Sequence, residues 1–500
     1  MSKKTIQLDA NGKPKFGIWD KLAYAAGDLG CNMSFGLKST VQTFWLAYMM
    51  METGLFSILL LVVQAWDAIN DPVIGAMIDA DRKQYKMGKF KTYIFIGALG
   101  LIIGGAAVFL PFPNSNVVVK AALFIIGYII WDAAYTMANV PYGSMLSLVT
   151  EDAGERAQLS SWRSIGSGVG NILPGVILPM IIWHKVVDAN GEPVINPETG
   201  VQEQILLGDR VFWAALLMGA LGFLCFWFMI KKITLRVDEN SVKTSEGGEK
   251  FNILVAFANF FRNRPAVGAT VAAMGMFLGM QSASTASTIM FATYFGMAEL
   301  SGLVMLVGFV PAFAFIPFIK KIVDRFGKKE ASVAGTLVSL TGGGVMLLFP
   351  LVPDKMLSLV VFMGGLVLFG LGMGVYTCVS WALMADAIDY NEWKTGKREE
   401  GTVYSLHSFF RKLAQGIGPS AVILIMGLLG YVSEKGTGGQ SLETSYNMCW
   451  LVAALYLFSA VCMFVGLAFI YNLDKKTMAQ MNAELAARKN IANLTAEEEF

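Results

Sequence analysis

The chain has 500 residues, 55% of them hydrophobic and 15% charged, with a formal net charge of +2 and a mean hydropathy of +0.55. That balance excludes an ordinary soluble domain, and the lack of a basic stripe interleaved with aromatics excludes a nucleic-acid binder. The reading that remains is an all-α membrane protein, embedded in a lipid bilayer.

A bilayer core requires about 20 apolar residues per helix. About twelve segments qualify, near 22–50, 55–78, 92–112, 118–148, 160–183, 211–231, 266–295, 301–320, 331–351, 357–385, 402–431 and 447–472. The polar stretch before them, MSKKTIQLDANGKPKFG, has no short apolar core followed by a small-residue cleavage site, so the first span is expected to direct insertion. The expected organisation is a tail over 1–21, a six-helix half over 22–231, a linker over 232–264, a second six-helix half over 265–472 and a tail over 473–500. With both ends inside, 30 of the 39 Lys and Arg residues fall on the cytoplasmic side and 4 on the other. The positive-inside rule then places both termini in the cytoplasm.

The halves echo one another. "MIDADRKQYKMGKF" after the second span has a shorter counterpart, "KIVDRFGKKEA", after the eighth, and the cation opening the fifth span, Arg163, recurs as Lys412 opening the eleventh. Two pseudo-symmetric six-helix halves joined by a charged linker are the pattern of a transporter that rocks about a central site.

In the second span, "VQAWDAINDPVIGAMIDADR" holds Asp67, Asn70 and Asp71 inside apolar sequence. A charge at the bilayer centre costs about 2.5–3.5 kcal/mol, so the two carboxylates require compensation. One helical turn apart, they share a face with Gln64 and Asn70, a surface of oxygens and amides suited to a hard monovalent cation. Pairing with Lys38, Arg163 or Lys412 is the alternative. Cys31, Cys225, Cys378, Cys449 and Cys462 form no CxxC, and the 2 histidines are too few for an all-histidine zinc site, so no cofactor or bound metal is expected beyond a transported Na+ or H+. There is no nucleophile constellation and no GxxxxGK[ST] loop, and an enzyme is not expected.

"AAGDLGCN", "AWDAINDP", "YTMANVPYGSM" and "DAIDYNEWKTGKREEGTVYSLHSFFRKLAQGIG" occur in order, and with them nearly the whole chain resembles the glycoside-pentoside-hexuronide:cation symporters of the major facilitator superfamily. The resemblance implies a cation site at Asp67, Asn70, Asp71 and Thr136. It implies a sugar site with Asp28 and Arg163 bonding hydroxyls, and Lys412 approaching the cation-site carboxylates. Where the family's melibiose-transporting pattern reads "DIPFW", this chain has Asn139 and Gly143, which removes a carboxylate and a stacking indole from the pocket. Lys38 and His407 add positive character, which points to an acidic sugar unless Lys38 pairs with Asp28, Asp67 or Asp71. The charged loops resemble the superfamily's signature loop, and on that basis Asp79, Arg82, Glu155, Arg156, Asp386 and Arg398 are assigned to gating pairs.

The expected function is a secondary active symporter in a bacterial cytoplasmic (inner) membrane, working as a monomer. Sodium or proton entry would drive uptake of a small-molecule glycoside, pentoside or related oligosaccharide by alternating access. Alternatives are a hexuronide symporter, a lysolipid symporter or a non-transporting sugar sensor, the last using the polar loop from Trp183 to Asp209 as its outer contact.

Overall fold

In lipid, a spanning segment with no neighbouring strand can satisfy its backbone only as a helix, and among the described residues the apolar segments of this chain are mostly helical. A computed structural model describes residues 14–81, 83–150, 152–237, 253–315, 317–396 and 400–498. The chain divides into two compact units. The first contains α1 (Ile18–Phe35), α2 (Lys38–Thr43), α3 (Thr53–Ala80), α4 (Lys89–Val108), α5 (Val117–Ser144), α6 (Leu146–Val149), α7 (Ala153–Ile172), α8 (Leu178–Ile182) and α9 (Gly208–Lys232). The second contains α10 (Ile253–Arg262), α11 (Arg264–Met290), α12 (Gly302–Phe313), α13 (Ile319–Phe326), α14 (Lys328–Met346), α15 (Lys355–Thr395), α16 (Glu400–Leu428), α17 (Leu442–Val465) and α18 (Lys475–Glu498), with Gly302 itself at the edge of the first. Segments 291–302 and 431–441 pack with the first unit, although the sequence places them in the second half.

Among the described residues, nine helices are long and apolar enough to cross a membrane. Three expected spans differ for local reasons. The first breaks at Gly36–Leu37 into α1 and α2, and the eighth ends at Phe313 after 12 helical residues. The eleventh is a 29-residue helix, α16, whose first half carries His407, Arg411 and Lys412. Large apolar side chains such as Ile58, Leu61, Val62, Ile69 and Val73 of α3 are exposed, as lipid-facing residues are.

The units are built alike. In the first, α4 packs on α5, α1 on α7 and α9, and α4 on α9; in the second, α14 packs on α15, α11 on α16 and α17, and α14 on α17. The same pairing scheme in the same chain order is the structural counterpart of the sequence echo. Side chains preceding several helices begin them. Glu52 accepts from the Gly54 and Leu55 amides at 2.8 and 2.6 Å, Asn116 from Val119 at 2.9 Å, and Asp354 from Leu357 at 2.7 Å. These side chains satisfy amide donors that the first helical turn leaves open.

Between α8 and α9 a short hairpin pairs β1 (Trp183–Lys185) with β2 (Gln204–Leu206), Trp183 opposite Leu206. Its residues hold the two segments that arrive from later in the chain. Gln204 is 1% exposed; its Nε2 donates to Gly296 O at 2.8 Å and Glu299 Oε2 at 2.7 Å, and its Oε1 accepts from the Ala298 amide at 2.5 Å. The Thr437 hydroxyl donates to Gln204 O at 2.6 Å, the Asn196 amide to Gln440 O at 3.2 Å and also to Gly438 O. Lys185 pairs with Glu299 at 3.2 Å.

Close helix contact depends on small residues. A Cβ on Gly166 of α7 would lie 2.1 Å from Ala25 O of α1, which backbone cannot vacate, whereas one on Gly75 of α3 would meet nothing within 4 Å. Gly166→Val therefore costs about 1–3 kcal/mol or more by overpacking, while Gly75→Ala is close to neutral; thermal unfolding of the two purified variants in one detergent checks the contrast.

The loop after α3 is tied to α4 by a carboxylate. Asp81 accepts from the Tyr85 and Tyr93 hydroxyls at 2.5 and 2.8 Å and from the Lys83 amide at 2.9 Å. These donors, Tyr85 first, hold its carboxyl down at about 2. An unfolded aspartate titrates near 3.9, so the contribution is complete above about pH 4 and disappears as pH falls through 2. Amide exchange over 83–93 accelerates across that window, and in Tyr93→Phe the acceleration begins at higher pH; an unchanged onset in the variant contradicts the assignment.

Candidate functional site

Two polar clusters occupy the first unit, and α5 contributes to both. The first joins α2, α3 and α5. Helix α3 is continuous from Thr53 to Ala80 and presents Asn70 and Asp71 toward α5. The Asn70 amide donates to Asp132 Oδ2 at 3.2 Å and Thr136 Oγ1 at 3.0 Å, and the Thr136 hydroxyl donates to Asp71 Oδ1 at 2.8 Å. Asn70, Asp132 and Thr136 are each 1–2% exposed. Lys38, at the start of α2, pairs with Asp67 Oδ2 at 3.5 Å and lies 5.0 Å from the centroid of the Phe35 ring. One turn before Asp67, Gln64 donates to the Tyr128 hydroxyl at 3.1 Å.

Of the four sequence-assigned cation residues, Asn70, Asp71 and Thr136 are thus joined by hydrogen bonds, and Asp67, one turn before Asp71 on α3, is held by Lys38. Asp132 was missed by the sequence reading. The signal was available: an aspartate in the apolar fourth span, four residues before Thr136 and hence on the same helix face, carries the insertion cost that drew notice to Asp67. Lys38 had three possible partners on paper; the break between α1 and α2 brings it to Asp67. Its charge is already engaged there, which weakens it as a source of positive character for a sugar.

The second cluster joins α1, α5 and α7. Arg163 Nε donates to Asp28 Oδ1 at 3.1 Å, and the guanidinium lies 5.1 Å from the Tyr142 ring centroid. Asn32 donates to Asp28 Oδ2 at 3.1 Å and accepts from Asn171 at 2.8 Å; the Tyr142 hydroxyl donates to Tyr24 O at 2.7 Å. Asp28 is buried, with 6% of its side chain accessible, against 37% for Arg163. The carboxylate therefore orients a fork of donors that keeps an accessible edge. Asn139, one turn beyond Thr136, has its Oδ1 3.7 Å from the Cys31 thiol. A Cβ on Gly143 would meet nothing within 4 Å, so the position is open where an indole was expected to be missing.

The other assigned residues lie elsewhere. His407 and Lys412 are on α16 in the second unit; His407 is buried, with Nδ1 2.8 Å from the Thr270 hydroxyl. Of the gating residues, the Asp79 side chain, Arg82 and Arg398 are outside the described residues. Glu155 accepts from the Thr150 hydroxyl at 2.5 Å, and Arg156 Nε donates to Thr150 O at 3.1 Å, both contacts local to the start of α7. Asp386 of α15 pairs with Lys328 of α14 at 2.7 Å within the second unit. A further ion pair that sequence did not single out joins Arg236 to Asp20 at 2.9 Å, after α9 and within α1.

Residues 23–475 match a family described as MFS/sugar transport protein. Three relatives are similar over nearly their whole lengths. The uncharacterized symporter YjmB of Bacillus subtilis (strain 168) is 28% identical, covering 97% of this chain and 98% of the relative. The glucuronide carrier protein homolog of Escherichia coli (strain K12) is 27% identical over 94% and 96%. The isoprimeverose transporter of Lactiplantibacillus pentosus is 26% identical over 95% and 93%. With the duplicated helical units and the multi-pass apolar spans, the match over most of the chain has one conclusion: it belongs to the MFS/sugar transport protein family of membrane transporters.

Proposed function

We propose that the protein couples entry of sodium or a proton to uptake of a small carbohydrate across a bacterial cytoplasmic membrane, with both termini on the inner side. The observation that carries this reading is the Thr136 hydroxyl, which accepts from Asn70 and donates to Asp71 across the α3–α5 interface. A cation among Asp67, Asn70, Asp71, Asp132 and Thr136 would have carboxylate, hydroxyl and amide oxygens to bind it, and it would offset carboxylate charge that Lys38 balances in part. The donor set fits a hard monovalent cation, and it equally fits a proton.

Coupling has a physical route. Helix α5 carries Asp132 and Thr136 in the cation cluster and, further along, Asn139, with its Oδ1 3.7 Å from the Cys31 thiol of α1, and Tyr142, with its ring centroid 5.1 Å from the Arg163 guanidinium. A change in the rotation or tilt of α5 on cation binding moves the wall of the sugar site. Linkage then requires the sugar to tighten cation binding by the same factor. One positive charge crossing 100 mV supplies about 2.3 kcal/mol, sufficient to concentrate a neutral solute roughly fifty-fold.

The cation site is tested with Asp71→Cys, which is expected to insert and fold but to lose ion-driven accumulation in proteoliposomes while the wild type accumulates sugar; normal accumulation by the variant removes Asp71 from the site. The sugar site is tested by equilibrium binding to Arg163→Ala, whose affinity falls by roughly tenfold or more through loss of a charged hydrogen-bond donor. Unchanged affinity there makes Arg163 a partner of Asp28 only.

A further inference from the structure

One ammonium of the first unit has two carboxylates in its surroundings. Lys38 opens the six-residue helix α2, directly after the break at Gly36–Leu37, and its Nζ lies 3.5 Å from Asp67 Oδ2 on α3. That pair is loose. Lys328 and Asp386 meet at 2.7 and 2.9 Å, the spacing of a charge-assisted hydrogen bond, whereas Lys38 and Asp67 stand further apart and keep 25% and 22% of their side chains accessible. Lys38 also lines a narrow crevice with Phe35, Trp131, Asp132 and Tyr135. Asp132 of α5 is 2% exposed; among the described residues it forms no ion pair, and it accepts from the Asn70 amide at 3.2 Å.

A buried carboxylate without a counter-charge is costly, and more so within a bilayer. With Lys38 on Asp67, Asp132 has an amide and no cation. A transported cation bound between Asp67 and Asp71 does the work of Lys38 at Asp67, and like charges then drive the ammonium away. A lysine carries its charge as a point at the end of a flexible four-carbon stem, so it can turn from one oxygen to another while its helix stays in place. The acid in the crevice that Lys38 already lines is Asp132. Asn70, three residues after Asp67 on α3, holds that carboxylate toward α3 through its amide, so the second acceptor is in place before the ion arrives. With the ion bound, Asp67 and Asp132 each have a cation.

We propose that Lys38 is a displaceable counter-charge, held by Asp67 while the cation site is empty and passed to Asp132 when the transported cation binds. Asp132 is then a positioning residue that acts through Lys38. This rests on the symporter reading above and narrows the ligands of the ion to Asp67, Asn70, Asp71 and Thr136. The exchange also carries the binding event beyond those ligands, because it unties α2 from α3 and ties it to α5.

The test uses the purified full chain in one detergent. Cation affinity is read as the concentration of sodium chloride, against choline chloride at fixed pH, that gives half of the shift in unfolding temperature; for a proton-driven protein the pH of half shift takes its place. Asp132→Asn is expected to weaken cation affinity by about tenfold or more, or to lower the proton midpoint by about one pH unit, because the displaced ammonium then finds no acid. In a Lys38→Met background the same substitution is expected to change affinity by less than about threefold, since the group through which Asp132 acts is gone. If Lys38→Met does not fold, Lys38→Gln, which still donates to Asp67 but carries no charge, serves as the background. Equal losses in both backgrounds make Asp132 a direct ligand or a structural acid and overturn the proposal, as does an Asp132→Asn variant with the affinity of the wild type. Either result leaves the symporter reading standing so long as the wild type accumulates sugar in response to a sodium or pH gradient. A wild type whose accumulation in proteoliposomes responds to neither gradient overturns the symporter reading and this one together.

Discussion

A carboxylate buried in a membrane has to be answered from within the protein, because lipid offers no hydrogen bond and no counter-charge. In the first unit this requirement falls on the contact between α3 and α5. Asp71 is answered by a hydroxyl, Asp132 by an amide and Asp67 by an ammonium. Each partner comes from a different helix, or a different part of one, so the polar groups set the distance and rotation between helices as much as apolar packing does. The helices that carry no such groups, α4 and α9 for example, pack through glycines and apolar side chains instead.

The two clusters of the first unit differ in accessibility, and the difference suits their proposed work. The Asn70–Asp132–Thr136 core is closed to solvent, as befits a site for a small ion whose hydration shell is replaced by protein oxygens. The Asp28–Arg163 pair buries its acid and leaves its base accessible, as befits a site that orients donors toward a larger polar solute. Both are organised by the same 28-residue helix, α5, so neither can shift without the other registering it.

Class and the duplicated architecture were legible because lipid imposes a strong, repetitive composition on each segment. Asp67 and Asp71 stood out because a charge in an apolar run is costly, whereas Thr136 entered only through the family resemblance. Asp132 satisfied the same criterion and was passed over because no paired acid follows it one turn on. Other features had no sequence signal at that level. Choosing Asp67 over Asp28 or Asp71 as the partner of Lys38 depends on a helix break at Gly36–Leu37 that apolar composition alone does not reveal. The split membership of segments 291–302 and 431–441 depends on hydrogen bonds from Gln204 and Asn196, residues 92 or more positions away from their acceptors.

That last arrangement bears on how the chain is made. Gln204 and Asn196 emerge from the ribosome early, but some of the groups that satisfy them, at Thr437, Gly438 and Gln440, follow more than 230 residues later. At 5–20 residues per second, translation leaves an interval on the order of 10–50 s in which the hairpin exists without them. The first unit is therefore not a self-contained module that finishes before the second begins. A gene divided within the linker would separate the hairpin from its own partners, and the order of synthesis makes the hairpin end of the first unit among the last parts of the protein to reach its final hydrogen bonding.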